Sequence, residues 1–258
     1  MSWRVLVALL LLASIVLALV WTGVHMSYAY VRQETVVAGA IRQEPIAISQ
    51  GEAERLAVEI AMSGDRLQLS GGAAHLLDGY IETNSDWLFP IIHYTESGRL
   101  GILTLKHRDL AELGRLADTA GHTASWDIQL NSSLPIANLD VAVGADQATL
   151  DLRDLELQTA RIDMVGGDLT VNLVQSWDHN VDVRLTGISG AMTVYLPAEM
   201  GVVVYAEQSF GEVAATGLRP LAGEAGRYAN AAYRQTPATL TISADMALGN
   251  IRLAVEDQ

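Results

Sequence analysis

The chain has 258 residues, half of them hydrophobic but only 6% aromatic, with 22 glycines, six prolines and no cysteine. Its formal net charge is −14, and because Arg4 is the only charged side chain before residue 30, the remainder carries 15 basic against 30 acidic groups, or −15. That surface repels phosphate backbones and anionic lipid headgroups, which argues against a nucleic-acid binder and a polybasic membrane contact, while the missing cysteines exclude disulfides, thiolate metal sites and a cysteine nucleophile.

In chain order the first element is the uncharged run Val5 to Val24, VLVALLLLASIVLALVWTGV. At about 1.5 Å rise per residue it is long enough to cross a hydrocarbon core of about 30 Å. Trp3 precedes it, and Trp21, Tyr28 and Tyr30 follow, where aromatic rings favour the interfaces. The spacing predicts an uncleaved spanning helix: the run exceeds a signal-peptide core, and bulky Val20, Trp21 and Val24 stand where a cleavage site wants small residues, leaving Ser27-Tyr28-Ala29 as the one alternative site. Arg4 and the N-terminal amine predict that the start stays inside and the rest lies outside.

Residues 26–51 are polar and mixed and read as a tether. From Glu52 the apolar period becomes two: Leu56, Val58 and Ile60, then Leu67 and Leu69 beyond Ser63-Gly64-Asp65, a pattern that predicts a hairpin. Ala73 to Leu77 suits one helical turn. Ile91 to Tyr94 and Leu100 to Leu105, separated by Glu96-Ser97-Gly98, predict a second hairpin. Between Asp109 and Ala120 the residues Leu110, Leu113 and Ala117 share a helical face, with Asp109 as N-cap and Gly121 as stop. The resulting map is a transmembrane anchor over 1–25, a juxtamembrane tether over 26–51, an N-terminal β subdomain over 52–107, a helical divider over 108–122 and a repeat β domain over 123–258.

The repeat region cycles through apolar alternation, a glycine/aspartate turn and alternation again. Leu139-Val141-Val143, Gly144-Ala145-Asp146 and Ala148-Leu150-Leu152 form one passage; Ile162-Met164, Gly166-Gly167-Asp168 and Leu169-Val171-Leu173 form the next. Val181-Val183-Leu185, Gly187 to Gly190 and Met192-Val194-Leu196 follow. Leu152, Leu173 and Leu196 are 21 and 23 residues apart. Weaker copies run through Val202-Val204, Gly211 and Val213, and through Leu240-Ile242, Gly249 and Ile251-Leu253. A unit this small cannot bury its apolar face alone, so the pattern predicts stacked rungs that share a core. The fold class is all-β, a stacked-rung, solenoid-like domain behind a single transmembrane helix, with one short helix between two β regions. Alternation alone also fits an antiparallel barrel or sandwich.

Trp126-Asp127-Ile128-Gln129-Leu130, Leu134-Pro135-Ile136, Gly144-Ala145-Asp146, Leu150-Asp151-Leu152, Gly166-Gly167-Asp168-Leu169-Thr170-Val171 and Leu196-Pro197 carry a resemblance. So do Leu67-Gln68-Leu69-Ser70-Gly71-Gly72-Ala73 and Pro90 to Tyr94. The chain resembles the bacterial toast-rack proteins, whose repeats also occur in LiaF-like cell-envelope stress proteins and candidate adhesins, over about residues 52–256. The resemblance implies a membrane-attached rack of β rungs concerned with envelope sensing or surface contact.

No catalytic, cofactor-binding or metal-ligating residue is assigned from the sequence. The six histidines, His25, His75, His93, His107, His122 and His179, show no metal-pair spacing, although His93, His107 and His122 bracket the predicted β-to-helix junction. Gly187-Ile188-Ser189-Gly190 is not a nucleophile elbow, because its last glycine comes one place early. The glycine/aspartate turns offer one carboxylate each where calcium wants several oxygens. Asn131-Ser132-Ser133 fits a glycosylation sequon. The expectation is a non-catalytic, single-pass, extracytoplasmic interaction or envelope-sensing module, partnered by the membrane through residues 5–24 and by a protein or envelope component. A structural or adhesion protein self-associating through edge rungs is the alternative, and an enzyme with an unrecognised convergent site is the remaining one.

Overall fold

The computed structural model describes residues 39–107, 121–223 and 225–257. Within them the alternating apolar segments form a single fifteen-stranded sheet, and the only helical element is a three-residue 3-10 turn, Asp86–Leu88. The predicted spanning helix lies outside the described residues, among which no helix is long and apolar enough to cross a membrane.

The body of the sheet is a stack of parallel, bent rungs. They are β2 (Arg55–Gly71), β7 (Ile136–Asp151), β8 with β9 (Thr159–Met164, Asp168–Asn172), β10 (Val181–Pro197), β15 (Thr239–Glu256) and β11 with β12 (Gly201–Phe210, Val213–Thr216). In space they follow in that order. Each rung has two legs joined at a corner, and the burial pattern shows how the bend is encoded. Along β2 the inward residues are Leu56, Val58, Ile60 and Met62, then Leu67 and Leu69; along β10 they are Val181, Val183 and Leu185, then Met192, Val194 and Leu196. The even-numbered phase of one leg becomes the odd-numbered phase of the other, or the reverse. A straight strand keeps its phase; the slip lets both legs face the same interior.

Register stacks the inward positions into columns. One runs Leu69, Leu150, Val171, Val194, Leu253 and another Val58, Leu139, Ala160, Val183, Ile242, Val204. Leu150, Val171, Val194 and Ile242 are fully buried. Fully burying such a side chain contributes about 1.5–3 kcal/mol. The links between rungs add Leu152, Leu155, Leu157, Leu173 and Trp177 to the same core, with the Trp177 indole N–H donating to the Leu155 carbonyl at 2.9 Å.

At the corners glycines stack as well. Gly167, Gly190, Gly249 and Gly211 all have positive φ (88°, 115°, 135° and 132°). A Cβ on Gly190 would overlap the Gly167 carbonyl, one on Gly249 the Gly190 carbonyl and one on Gly211 the Gly249 carbonyl. Only glycine satisfies both the dihedral and the close approach.

Several expectations are corrected here. Leu56 to Leu69 is not a hairpin but the single strand β2, and the glycine/aspartate segments likewise bend the chain without reversing it; corner and hairpin use the same turn residues, and only the pairing partner separates them. Ala73 to Leu77 contains no helical turn: the chain bends there and enters β3 (Leu77–Thr83). The stretch read as tether, 26–51, contains β1 (Arg42–Ile48), antiparallel to β3 over seven residue pairs. The rungs are parallel, not an antiparallel meander.

The hairpin of β4 (Ile91–Ser97) and β5 (Leu100–Lys106) is present. Beyond it, β5 pairs with the first leg of β2 while β6 (Ala124–Leu130) pairs with the second, both parallel. The segment read as a divider, most of which (108–120) lies outside the described residues, therefore joins two legs of one rung. The β regions on either side of it are one sheet, with β2 paired to β7 along nearly its whole length. At the far end β14 (Arg227–Ala229) and β13 (Arg219–Pro220) continue the first leg antiparallel. Asn230, 1% exposed, clamps the turn from β10 to β11: its amide donates to the Pro197 and Met200 carbonyls at 3.0 and 2.7 Å and its oxygen accepts from Val202 N–H at 3.0 Å.

Two contrasts test this architecture. Val171→Asp buries an unpaired carboxylate between Leu150 and Val194 and is expected to unfold the domain; Asn172→Asp, whose side chain keeps an acceptor for Val174 N–H, is expected to cost under about 0.5 kcal/mol. Gly98→Ala, at a φ of 62° with nothing near the added methyl, is expected to cost about 1 kcal/mol, whereas Gly190→Ala must also push Gly167 out of the ladder and is expected to cost more than about 3 kcal/mol. Urea unfolding of the four variants measures all of these, and equal costs for the two glycine variants would refute the stacked corner.

Candidate functional site

Three places gather chemistry-bearing or unusually exposed residues. The first spans two inter-rung links. Glu156 follows β7 and Asp178-His179 follows β9, and their ligand-bearing atoms lie within 4.8 Å of one another. No spacing rule could find the group, because stacking brings it together across more than twenty residues. His179 Nε2 faces the Leu157 carbonyl at 3.0 Å, and Nδ1 faces Asp178 Oδ1 at 3.0 Å and Glu156 Oε1 at 3.3 Å. All three partners are acceptors, so both ring nitrogens serve as donors only when the ring is protonated. Bonding to the Asp178 carboxylate, aided by the Leu157 carbonyl and Glu156, holds the imidazole above its ordinary pKa despite some desolvation. The arrangement is that of a histidine and two carboxylates joining two inter-rung links.

The second place is the end of β5. His107, 7% exposed, accepts the Ser63 N–H on Nδ1 at 3.0 Å and stands edge-on to Trp126, centroids 4.8 Å apart at 84°. Burial pushes its pKa down to about 4, opposed in part by the Leu88 carbonyl. With Nδ1 accepting, the proton of the neutral ring sits on Nε2. That donor and Trp126 Nε1 are buried without an acceptor in hydrogen-bonding geometry among the described residues. His93, on an exposed face of β4, and His122 do not gather with His107 as a metal-ligating group among the described residues.

Other sequence candidates have structural employment. Ser189 lies at a corner, and its hydroxyl donates to the Val165 carbonyl at 3.2 Å. Asp146 and Asp168 form no cluster of three ligand-bearing groups among the described residues. Asn131 is 8% exposed; its amide donates to the His75 carbonyl and its oxygen accepts from Ser133 N–H, which leaves the sequon asparagine occupied. Tyr94 braces the start of the rack, its single hydroxyl proton shared between two acceptors, Gln50 O at 2.8 Å and Glu96 Oε1 at 2.7 Å; burial, then Glu96, pushes its pKa up to about 12.

The third place is the outside of the corner. Val165, Ile188, Leu248 and Phe210 are 61%, 56%, 51% and 71% exposed, on four consecutive rungs. Val165 and Ile188 directly follow the paired residues Met164 and Gly187, while Leu248 pairs with Phe210 and with Ser189 beside Ile188. Scattered exposed apolar residues need no explanation, but aligned ones form a patch. At about 4.8 Å per rung the ridge is about 14 Å long. Its sequence signal is an apolar residue one or two places before a corner glycine: Val165-Gly166-Gly167, Ile188-Ser189-Gly190, Leu248-Gly249 and Phe210-Gly211.

A filled parallel stack of bent rungs, carrying an apolar ridge on its corner, defines a β-rack protein. The family model for the N-terminal domain of toast_rack, DUF2154, matches residues 37–195, and the chain belongs to that family. Among solved structures it is similar to a candidate cell adhesion protein from Clostridium sporogenes, with 23% identity, 84% of this chain and 100% of that chain covered, and a TM-score of 0.79. At that identity the likeness carries the fold. A candidate adhesin from Parabacteroides distasonis aligns over 84% of this chain and 98% of its own at 8% identity and a TM-score of 0.31. No curated protein matches the chain.

His107 makes stability depend on pH with a definite sign. Its folded pKa, about 4, lies below the ordinary 6.5, so between these values the unfolded chain binds a proton that the folded chain refuses. Stability is expected to fall by about 3 kcal/mol as pH drops from about 6.5 to about 4. Urea unfolding across that range measures it, and His107→Gln, which keeps an acceptor for Ser63 N–H, is expected to flatten the slope.

Proposed function

We propose that the protein is a non-catalytic contact module of the bacterial envelope, held to the membrane through residues 5–24 with its rack outside the cytoplasm. The observation that carries the reading is the corner ridge: four exposed apolar side chains on consecutive rungs, with a step of one position between Ile188 and Leu248. The uncharged run before the rack supports the anchor, and membership of the toast-rack family supports an envelope role.

Self-association through the end rungs is disfavoured by what occupies them. Among the described residues, strand β1 is paired on one side only and contains Pro45, and β13, the last strand of the other end, contains Pro220. Pro90 stands directly before the edge strand β4. Proline removes a donor from an open edge and blunts its pairing with another sheet.

A reporter enzyme fused after Gln258 is expected to be active outside the cytoplasm, and the full chain to stay in the membrane fraction after carbonate washing. A soluble product beginning near residue 28 or 30, or a reporter active only inside, overturns the tethered reading.

A further inference from the structure

The charge around the ridge is one-sided. Within three residues of Val165, Ile188, Leu248 and Phe210 stand Asp163, Asp168, Asp245, Glu207 and Glu212, and no lysine or arginine. Asp163 is bonded to Arg161 at 2.9 Å; the other four have no ion pair among the described residues, and Asp168, Glu207 and Glu212 are exposed. The nearest further basic residues, Arg184 and Arg252, lie four positions down the legs from Ile188 and Leu248. An apolar strip with charged shoulders is the anatomy of a protein contact, in which the centre is desolvated and the rim sets orientation and partner choice.

Resting on the contact-module reading, we propose that the ridge binds a basic amphipathic segment of a partner protein. The partner's apolar side chains pack against Val165, Ile188, Leu248 and Phe210, and its lysines or arginines pair with Asp168, Glu207, Glu212 and Asp245. The spacing suits a helix. Rungs repeat at about 4.8 Å and a helix turns once per about 5.4 Å, so over the three intervals of the ridge the two drift apart by under about 2 Å, and about ten helical residues cover it. The same shoulders oppose an anionic bilayer, because aspartate and glutamate beside the inserting side chains face like charge. A second copy of this chain is opposed likewise, since ridge-on-ridge contact sets acidic shoulders against each other.

The chain lacks cysteine, which permits a local probe. Ala247, exposed on the corner between the two legs of β15, is replaced (Ala247→Cys) and labelled with an environment-sensitive dye in the full chain held in phosphatidylcholine nanodiscs. The titrant is a 14-residue helical peptide with leucine on one face and lysine on its flanks. A saturable shift is expected, weakened at least tenfold by Ile188→Asp or Leu248→Asp and several-fold by Glu207→Gln with Glu212→Gln or by 0.5 M salt. The same peptide with glutamate in place of lysine is expected to give no shift. Thermal melts confirm that these surface variants fold.

A shift that ignores the ridge variants, equal responses to the lysine and glutamate peptides, or no response to either overturns the proposal. So does a ridge-dependent shift without peptide, which assigns the ridge to lipid if it follows nanodisc insertion and to a second copy if it follows protein concentration. The reporter fusion and carbonate wash read the tether independently, so a failed tether and a failed ridge are told apart.

Discussion

Every rung turns a corner while remaining hydrogen-bonded to the rungs on both sides, and that requirement decides what can stand at each position. From the β8–β9 rung onward the bend brings successive backbones too close for a side chain. The column Gly167, Gly190, Gly249, Gly211 follows, each without the Cβ that would strike its neighbour's carbonyl. The bend also shifts the alternation by an odd number of residues, which turns both legs toward one interior and lets Leu67, Ala148, Leu169, Met192 and Ile251 stack in a column. Finally, it leaves an exposed apolar residue beside the corner on the four rungs from β8–β9 to β11–β12. Core, glycine column and ridge are three results of one geometric demand.

Much of the stack was legible in the sequence. Leu150, Val171 and Val194 were recognisable as equivalent from spacing alone, since a unit of twenty-odd residues repeats the same inward positions. The turns were legible as turns but not as corners: Ser63-Gly64-Asp65 in β2 has the chemistry of a hairpin, and local chemistry does not name the strand that supplies the hydrogen bonds. The β1 strand escaped because an edge strand exposed on one face alternates weakly; its burial pattern has no fully buried position. The Glu156, Asp178 and His179 cluster escaped for a different reason, being contiguous only through stacking. The ridge was visible in principle, as apolar residues beside corner glycines, but an apolar residue before a turn resembles the last inward position of a strand.

The polar groups inside the rack serve the stack where its repeat is interrupted. Asn230 satisfies the turn after β10, which departs from the links of the preceding rungs. Trp177 and His179 both reach back to carbonyls of the previous link, Leu155 and Leu157, stitching together segments that have no strand ladder of their own. His107 and Trp126 stand at the rung whose two legs are separated by an inserted segment, and there two buried donors lack an acceptor in hydrogen-bonding geometry among the described residues, although the Leu88 carbonyl still favours the His107 proton. A buried donor left without an acceptor costs about 1–3 kcal/mol.

The spatial order of the rungs departs from chain order twice: the rung of β5 and β6 lies outside β2, which precedes it in the chain, and β15 lies between β10 and β11, although β11 is made first. Rungs from β2 to β10 can be laid down one on another as the chain emerges at about 5–20 residues per second, each finding its template already in place. Strand β11 finds none. Its parallel partner is roughly forty residues downstream, so β11 and β12 lack that partner until the segment through Glu256 is made, and only the other edge of β11 can meet β14 before then. Assembly of the rack is thus processive for most of its length and then closes like a keystoned arch, with the final strand joining two parts that cannot meet without it.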